Sequence, residues 1–150
     1  MAEKNKNIVD ALNKYLQGVY MAIDTFNHYL SLAEEDETKK ILMNIYMYYK
    51  ESAILVIDRI TDLNGENKDD TGFIGKATEV FTNIKDSFTI KGDDNLMTNA
   101  YNSVQTGIQM GNKFLDENTL DPISKRLILT DLKNQDELLN TFPTRIPYKK

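Results

Sequence analysis

Asp24 and His28 stand four residues apart in a segment with helical periodicity, so they can pair on one helix face. A carboxylate and an imidazole at that spacing are half of a metal site. The apolar stripe of the same segment passes through Val19, Ala22, Ile23, Phe26, Tyr29 and Leu30. That stripe turns positions 24 and 28 outward, which makes them a surface hydrogen-bonded pair. A di-iron carboxylate site in a helical bundle needs carboxylates from four helices and Glu-x-x-His on two of them. Here Glu51 is followed by Ser52-Ala53-Ile54, and Asp131 by Leu132-Lys133-Asn134. Between Asn95 and Leu115 there is no acid at all. The expectation is therefore no metal. The alternative is a degenerate carboxylate site for iron or manganese, using Asp24, His28, Glu51 and Asp131.

Other chemistries fail on residue type. The chain has no Cys, which removes a thiol nucleophile, a disulfide framework, an iron–sulfur cluster and Cys-based zinc. Its one His removes every metal site that needs two. Ser52 has no His or Lys at helical spacing to activate it. Thr71-Gly72-Phe73-Ile74-Gly75 has two glycines but lacks the Gly-Lys-Ser/Thr ending of a phosphate loop. No catalytic residue and no cofactor is expected, and the protein is predicted not to be an enzyme.

Lys and Arg number 18 against 23 Asp and Glu, a net charge of −5 with a pI near 4.9. An acidic chain is a poor match for a phosphate backbone, so no nucleic-acid partner is expected. Only Arg59, Arg126 and Arg145 could supply a bidentate clamp. No window reaches the ~18 uninterrupted apolar residues of a membrane span. The opening residues 1–7 are polar, with no apolar run behind them. A cytoplasmic location without membrane contact is expected.

The elements follow from a 3.6-residue period. A first helix is predicted over about 7–34 on Ile8, Leu12, Tyr15, Val19, Ala22, Phe26 and Tyr29, with Gly18 its weak point. Asp36 is the predicted N-cap of a second, on Leu42, Ile45, Tyr49, Ser52, Val56 and Ile60, with Gly65 as its C′ residue. A shorter helix is predicted over about 72–87. A fourth uses Met97, Ala100, Val104, Ile108 and Gly111. Asp121-Pro122 opens a fifth, on Ile128, Leu132, Gln135, Leu139 and Phe142. Pro143 and Pro147 then force an extended tail from about 143, in which Arg145, Lys149 and Lys150 look solvated. No strand pattern appears. At 150 residues the chain is one domain, 1–150, large enough to bury roughly 70% of its unfolded surface. The architecture expected is all-α: two antiparallel helical hairpins with a short crossover helix between them.

The second helix has a surplus apolar side, Met43, Met47, Ile54 and Ile57. Such a helix must be covered twice, by the crossover or by a second subunit. Tyr and Met favour interfaces, so Met43, Tyr46, Met47, Lys50 and Ile54 are the candidate interface. Tyr48 and Tyr49 fit the core stripe instead. Gln105, Asn134 and Gln135 fall on or near inward faces, where buried amides must find partners. Gly107 and Gly111 suit either a cavity or close helix packing.

Three stretches carry a family likeness: Leu63-Asn64-Gly65, Gly75-Lys76-Ala77-Thr78-Glu79-Val80-Phe81-Thr82-Asn83-Ile84-Lys85, and Asp136-Glu137-Leu138. With the helix order, they make residues 8–142 resemble a family of small bacterial ferritin-like four-helix bundles catalogued as a domain of unknown function. The stretches match its Leu-Gly close of the second helix, its Gly-led crossover helix and its acidic patch in the last helix. The departures are Thr78 and Glu79 where the family has His-Arg. Tyr101-Asn102-Ser103-Val104-Gln105 replaces its Gly-Glu-Asp run, and Gln135 replaces a His. The resemblance implies a ferritin-like fold and no activity.

The expectation is a non-enzymatic bundle acting through protein contacts, as a homo-oligomer or with another protein. The alternatives are the degenerate metal binder and a carrier of an apolar small ligand held between the helices.

Overall fold

The computed structural model describes residues 3–67 and 91–148. Four α-helices carry the chain: α1 (Glu3–Leu32), α2 (Asp36–Asp62), α3 (Asp93–Glu117) and α4 (Pro122–Leu138). A 3₁₀ turn (Leu139–Thr141) follows α4. There is no strand among the described residues, and the predicted crossover helix over 72–87 lies outside them.

Contacts fix the helix directions. Gly65, just past α2, abuts Val9 of α1, and the Phe26 and Tyr49 rings lie 5.6 Å apart. These two helices are therefore antiparallel. Asp93 meets Glu35, Ser103 meets Tyr29 and Phe114 meets Tyr15, so α3 also runs against α1. Gly111 faces Leu132, and Tyr101 faces Phe142, which sets α4 against α3. Hence α2 and α3 run the same way: α2 ends at one pole and α3 begins at the other. The core between them is built from the stripes that periodicity predicts, with Leu12, Leu16, Phe26, Leu42, Ile45, Val56, Met97, Val104 and Ile128 fully buried.

The helix ends depart from the sequence reading in two places. Asp36 is not the N-cap of α2. Glu35 occupies that position, with no side-chain cap of its own. The turn is held from across the bundle instead, because the Asp93 carboxylate accepts from the Glu35 and Glu34 backbone N–H groups at 2.7 and 3.2 Å. Those hydrogen bonds, reinforced by Thr38 and Lys39, hold the Asp93 carboxyl below its usual range even though desolvation works against them.

At the other end of α2, Asn64 rather than Gly65 takes the left-handed C′ position, with φ 60°. Gly65 N–H donates to the Ile60 carbonyl at 2.9 Å and Asn64 N–H to Thr61 at 2.9 Å, which is a Schellman close. Gly65 is there for another reason. A Cβ on it would sit 2.6 Å from both Val9 methyls, so glycine lets the chain leave α2 against α1.

Asp121 caps α4 as predicted, accepting from Ser124 N–H at 3.3 Å. Arg59 of α2 adds an ion pair to Asp121 at 2.7 Å and donates to Ser124 Oγ at 3.0 Å, tying α2 to the start of α4.

As far as Tyr148 the tail is docked rather than solvated, while Lys149 and Lys150 lie outside the described residues. Phe142 lies beyond the helix but is buried, as is Ile146. Tyr148 stacks on Tyr101 with centroids 4.3 Å apart. Arg145, about half exposed, pairs with Glu37 at 3.2 Å and Asp94 at 3.5 Å. Nor is the tail extended as expected: the backbone turns at 144–145 between Pro143 and Pro147, and Phe142, Ile146 and Tyr148 supply the adhesion.

Candidate functional site

Asp131 lies on the inward face of α4, three residues after Ile128 and four before Gln135, and is 7% exposed. Its carboxylate is surrounded by donors from three helices. Tyr48 hydroxyl donates to Oδ1 at 2.5 Å and Ser52 hydroxyl donates at 2.9 Å, both from α2. Tyr15 hydroxyl of α1 donates to Oδ2, joined there by Gln135 Nε2 at 2.9 Å. Gln135 Oε1 in turn accepts from Tyr49 hydroxyl at 3.2 Å. Among the described residues the donors that stabilise this buried carboxylate are hydroxyls and an amide, with no Lys or Arg.

Burial pushes the phenols of Tyr15, Tyr48 and Tyr49 well above their ordinary range, and the neighbouring Asp131 charge pushes them further. Tyr29, bonded to Ser103 at 2.9 Å, is pushed up to about 12, chiefly by burial. A tyrosine raised in the fold adds stability that is fully present below the unfolded value near pH 10. That contribution is lost as pH rises through 10 towards the folded values. Above pH 10 stability should therefore fall steeply, with tyrosinate absorbance appearing together with loss of helical circular dichroism. Tyrosinate that grows in around pH 10 while the helices stay intact would contradict this.

Beside the cluster, a cleft of about 550 Å³ opens between α1 and α3. Its walls are Gly18, Val19, Ala22, Thr25 and Phe26 on one side and Ser103, Gly107, Met110 and Gly111 on the other. Tyr49 and Gln135 lie at its floor, and Tyr15 and Phe114 at one end. The cleft exists because large side chains meet at both ends and small ones face each other between. Tyr15 packs on Phe114 at 5.3 Å, and Tyr29 bonds Ser103.

The glycines divide by role. A Cβ on Gly111 would come within 2.3 Å of Leu132, so this glycine brings α3 and α4 together. A Cβ on Gly107 would meet Gln135 Oε1 at 3.3 Å. A Cβ on Gly18 would meet nothing within 4 Å. Thr25 is 3% exposed on the cleft wall.

The residues singled out from the sequence fall elsewhere or play other parts. Met43, Met47 and Ile54 are 47%, 47% and 57% exposed, with Leu55 at 55%. Lys50 is exposed with its Nζ 5.0 Å above the half-buried Tyr46 ring. These residues share the outer side of α2, opposite Tyr49 and Ser52. Asp24 and Glu51 are exposed, His28 is half-buried rather than turned outward, and Asp131 is enclosed by hydroxyls. These four do not converge, and no three His, Asp or Glu side chains among the described residues are placed to hold a metal ion. Gln135 bonds across the bundle as an inward amide must, whereas Gln105 is only half-buried.

A family model matches residues 7–117. The chain belongs to that family, described as a domain of unknown function, DUF2383. The matched DUF2383 span holds α1, α2 and α3, and with them both walls of the cleft. It stops before α4, so Asp131 and Gln135 lie beyond it. The likeness inferred for Asp136-Glu137-Leu138 likewise falls outside the matched part. The chain matches no curated protein and no solved structure. No helix among the described residues is long and apolar enough to cross a membrane.

Proposed function

We propose that this DUF2383 protein is a non-enzymatic, ferritin-like helical bundle of the bacterial cytoplasm that carries an apolar small molecule in the cleft between α1 and α3. The cleft itself carries this reading. Its volume lies within the ~300–1,000 Å³ of small-molecule sites, and its walls are mostly apolar with a few polar groups at the floor. The ferritin-like part rests on helix direction, since parallel α2 and α3 fit two hairpins joined by one long connection. The Asp131 cluster is assigned a structural part, locking α4 to α1 and α2 beneath the cleft. It contains no activated nucleophile and no pair of groups poised as acid and base.

Titration with Nile red, a neutral apolar dye, tests the proposal. Saturable one-to-one fluorescence enhancement is expected. Gly18→Leu should abolish it, because the new side chain projects into the open space. The substitution should not unfold the protein, since leucine in place of glycine inside a helix gains up to ~1 kcal/mol. An absence of dye binding, or binding indifferent to Gly18→Leu, overturns the proposal.

A second reading has its own support. The exposed Met43, Met47, Ile54 and Leu55 on α2 form a surface suited to self-association or another protein. Light scattering over a concentration series should then show a mass above 17.2 kDa that Met47→Glu returns to the monomer. A monomer throughout removes self-association.

A further inference from the structure

We infer that the cleft selects a single-chain amphiphile with an anionic head, a long-chain carboxylate, lying with its head between Lys14 and Lys113. This rests on the reading of the cleft as a ligand site and names the class of ligand.

Three features of the lining carry it. The first is shape. From Lys14 to Phe26 the α1 wall runs 12 residues, about 18 Å at helical rise, and the cleft is one helix–helix gap wide. A slender, extended molecule fits such a space better than a broad ring system.

The second is the position of charge. Lys14 precedes Tyr15 and Lys113 precedes Phe114, and those two rings are in contact. Both ammonium groups therefore flank the same end. Among the described residues the only acid in the lining is Glu117, at that end too, and it meets Lys113 at a loose 3.8 Å with both side chains mostly exposed. A pair of that kind is weak and exchanges readily. Among the described lining residues the head-group end thus carries two positive charges against one negative, and the rest carry none; the Asp131 carboxylate behind Tyr15 is turned to its own donors and does not line the cleft.

The third is the opposite end. There Thr25, Phe26 and Ser103 present an apolar ring and small hydroxyls, with no ion among the described lining residues to receive a second charged group. The middle, Val19, Ala22 and Met110, is apolar. A molecule charged at one end only and apolar along its length meets each part of this wall with matching chemistry.

Calorimetric titration of the full chain with tetradecanoate, tetradecanol and tetradecyltrimethylammonium, each below its aggregation concentration, tests the assignment. The three share a chain and differ in head charge. Tetradecanoate is expected to bind about ten-fold tighter than the alcohol, the combined effect of two exposed ion pairs, and the cation to bind weakest. Lys14→Gln with Lys113→Gln should bring the carboxylate down to the alcohol while leaving the alcohol unchanged. Gly18→Leu should remove both. Equal affinity for carboxylate and alcohol, or a preference that survives the double lysine variant, overturns the head-group assignment and leaves the cleft standing as an apolar site. Failure of all three to bind overturns the cleft itself.

Discussion

Asp131→Ala is expected to destabilise the fold by about 3–5 kcal/mol, read as a lower urea midpoint with an unchanged slope. The substitution leaves two phenol hydroxyls, the Ser52 hydroxyl and one Gln135 amide hydrogen without their acceptor in the bundle interior. Each such group costs ~1–3 kcal/mol if it finds nothing else. The costs do not simply add. Tyr48 hydroxyl also reaches the Asp131 backbone oxygen at 3.2 Å, and Gln135 Nε2 lies 3.5 Å from Tyr15 hydroxyl, so both keep a weak partner. The desolvation penalty of the carboxylate itself is also relieved. Asp131→Asn keeps the shape and one acceptor oxygen but turns an amide N–H₂ towards groups that are already donors. It should fall between wild type and alanine. A loss below about 1 kcal/mol for Asp131→Ala would mean that the cluster does not hold α4 in place.

Phe26→Ala is expected to cost about 3–5 kcal/mol, the usual penalty for truncating a buried phenylalanine that leaves a cavity. The ring is 1% exposed and meets Tyr29 edge-on at 5.4 Å and Tyr49 at 5.6 Å. Its place at the apolar end of the cleft gives the substitution a second readout. The space left by the ring joins the cleft rather than forming a closed void, and a bound chain can enter it. Saturating tetradecanoate should therefore restore more stability to Phe26→Ala than it adds to wild type. Thermal unfolding with and without the carboxylate checks both parts. Equal ligand stabilisation of the two proteins would place Phe26 in the core alone.

These two residues differ in how plainly the sequence announces them. Phe26 sits on a clear 3.6-residue stripe with Val19, Ala22 and Tyr29, and that pattern alone assigns it to the interior. Asp131 shares a stripe with Ile128, Leu132 and Gln135, so its burial was equally legible from spacing. Spacing alone leaves open whether such an acid serves as a metal ligand or as an acceptor for other inward groups. The missing signal was the match in kind between that acid and the inward hydroxyls of Tyr15, Tyr48 and Ser52, which lie far away in sequence. Helix ends were half legible. Asp121-Pro122 acts locally and was read correctly, whereas the α1–α2 turn takes its cap from Asp93, 58 residues away. The tail is only partly legible: its prolines are plain in the sequence, but Tyr148 settles by stacking on Tyr101, 47 residues away.

The cleft was not legible in its own right. Gly18, Gly107 and Gly111 look alike in a sequence, yet one faces open space, one backs onto Gln135 and one lets two helices touch. The difference lies in the large side chains opposite each of them, which periodicity cannot place.

The docking of Arg145 on Glu37, together with the contact of Val9 with Gly65, puts residues 3 and 148 at opposite poles of the molecule. With α2 about 40 Å long, joining those residues in a circular permutant would take a linker of at least ~12 extended residues. A pair of dyes at the same two positions would in turn serve as a ruler along the long axis.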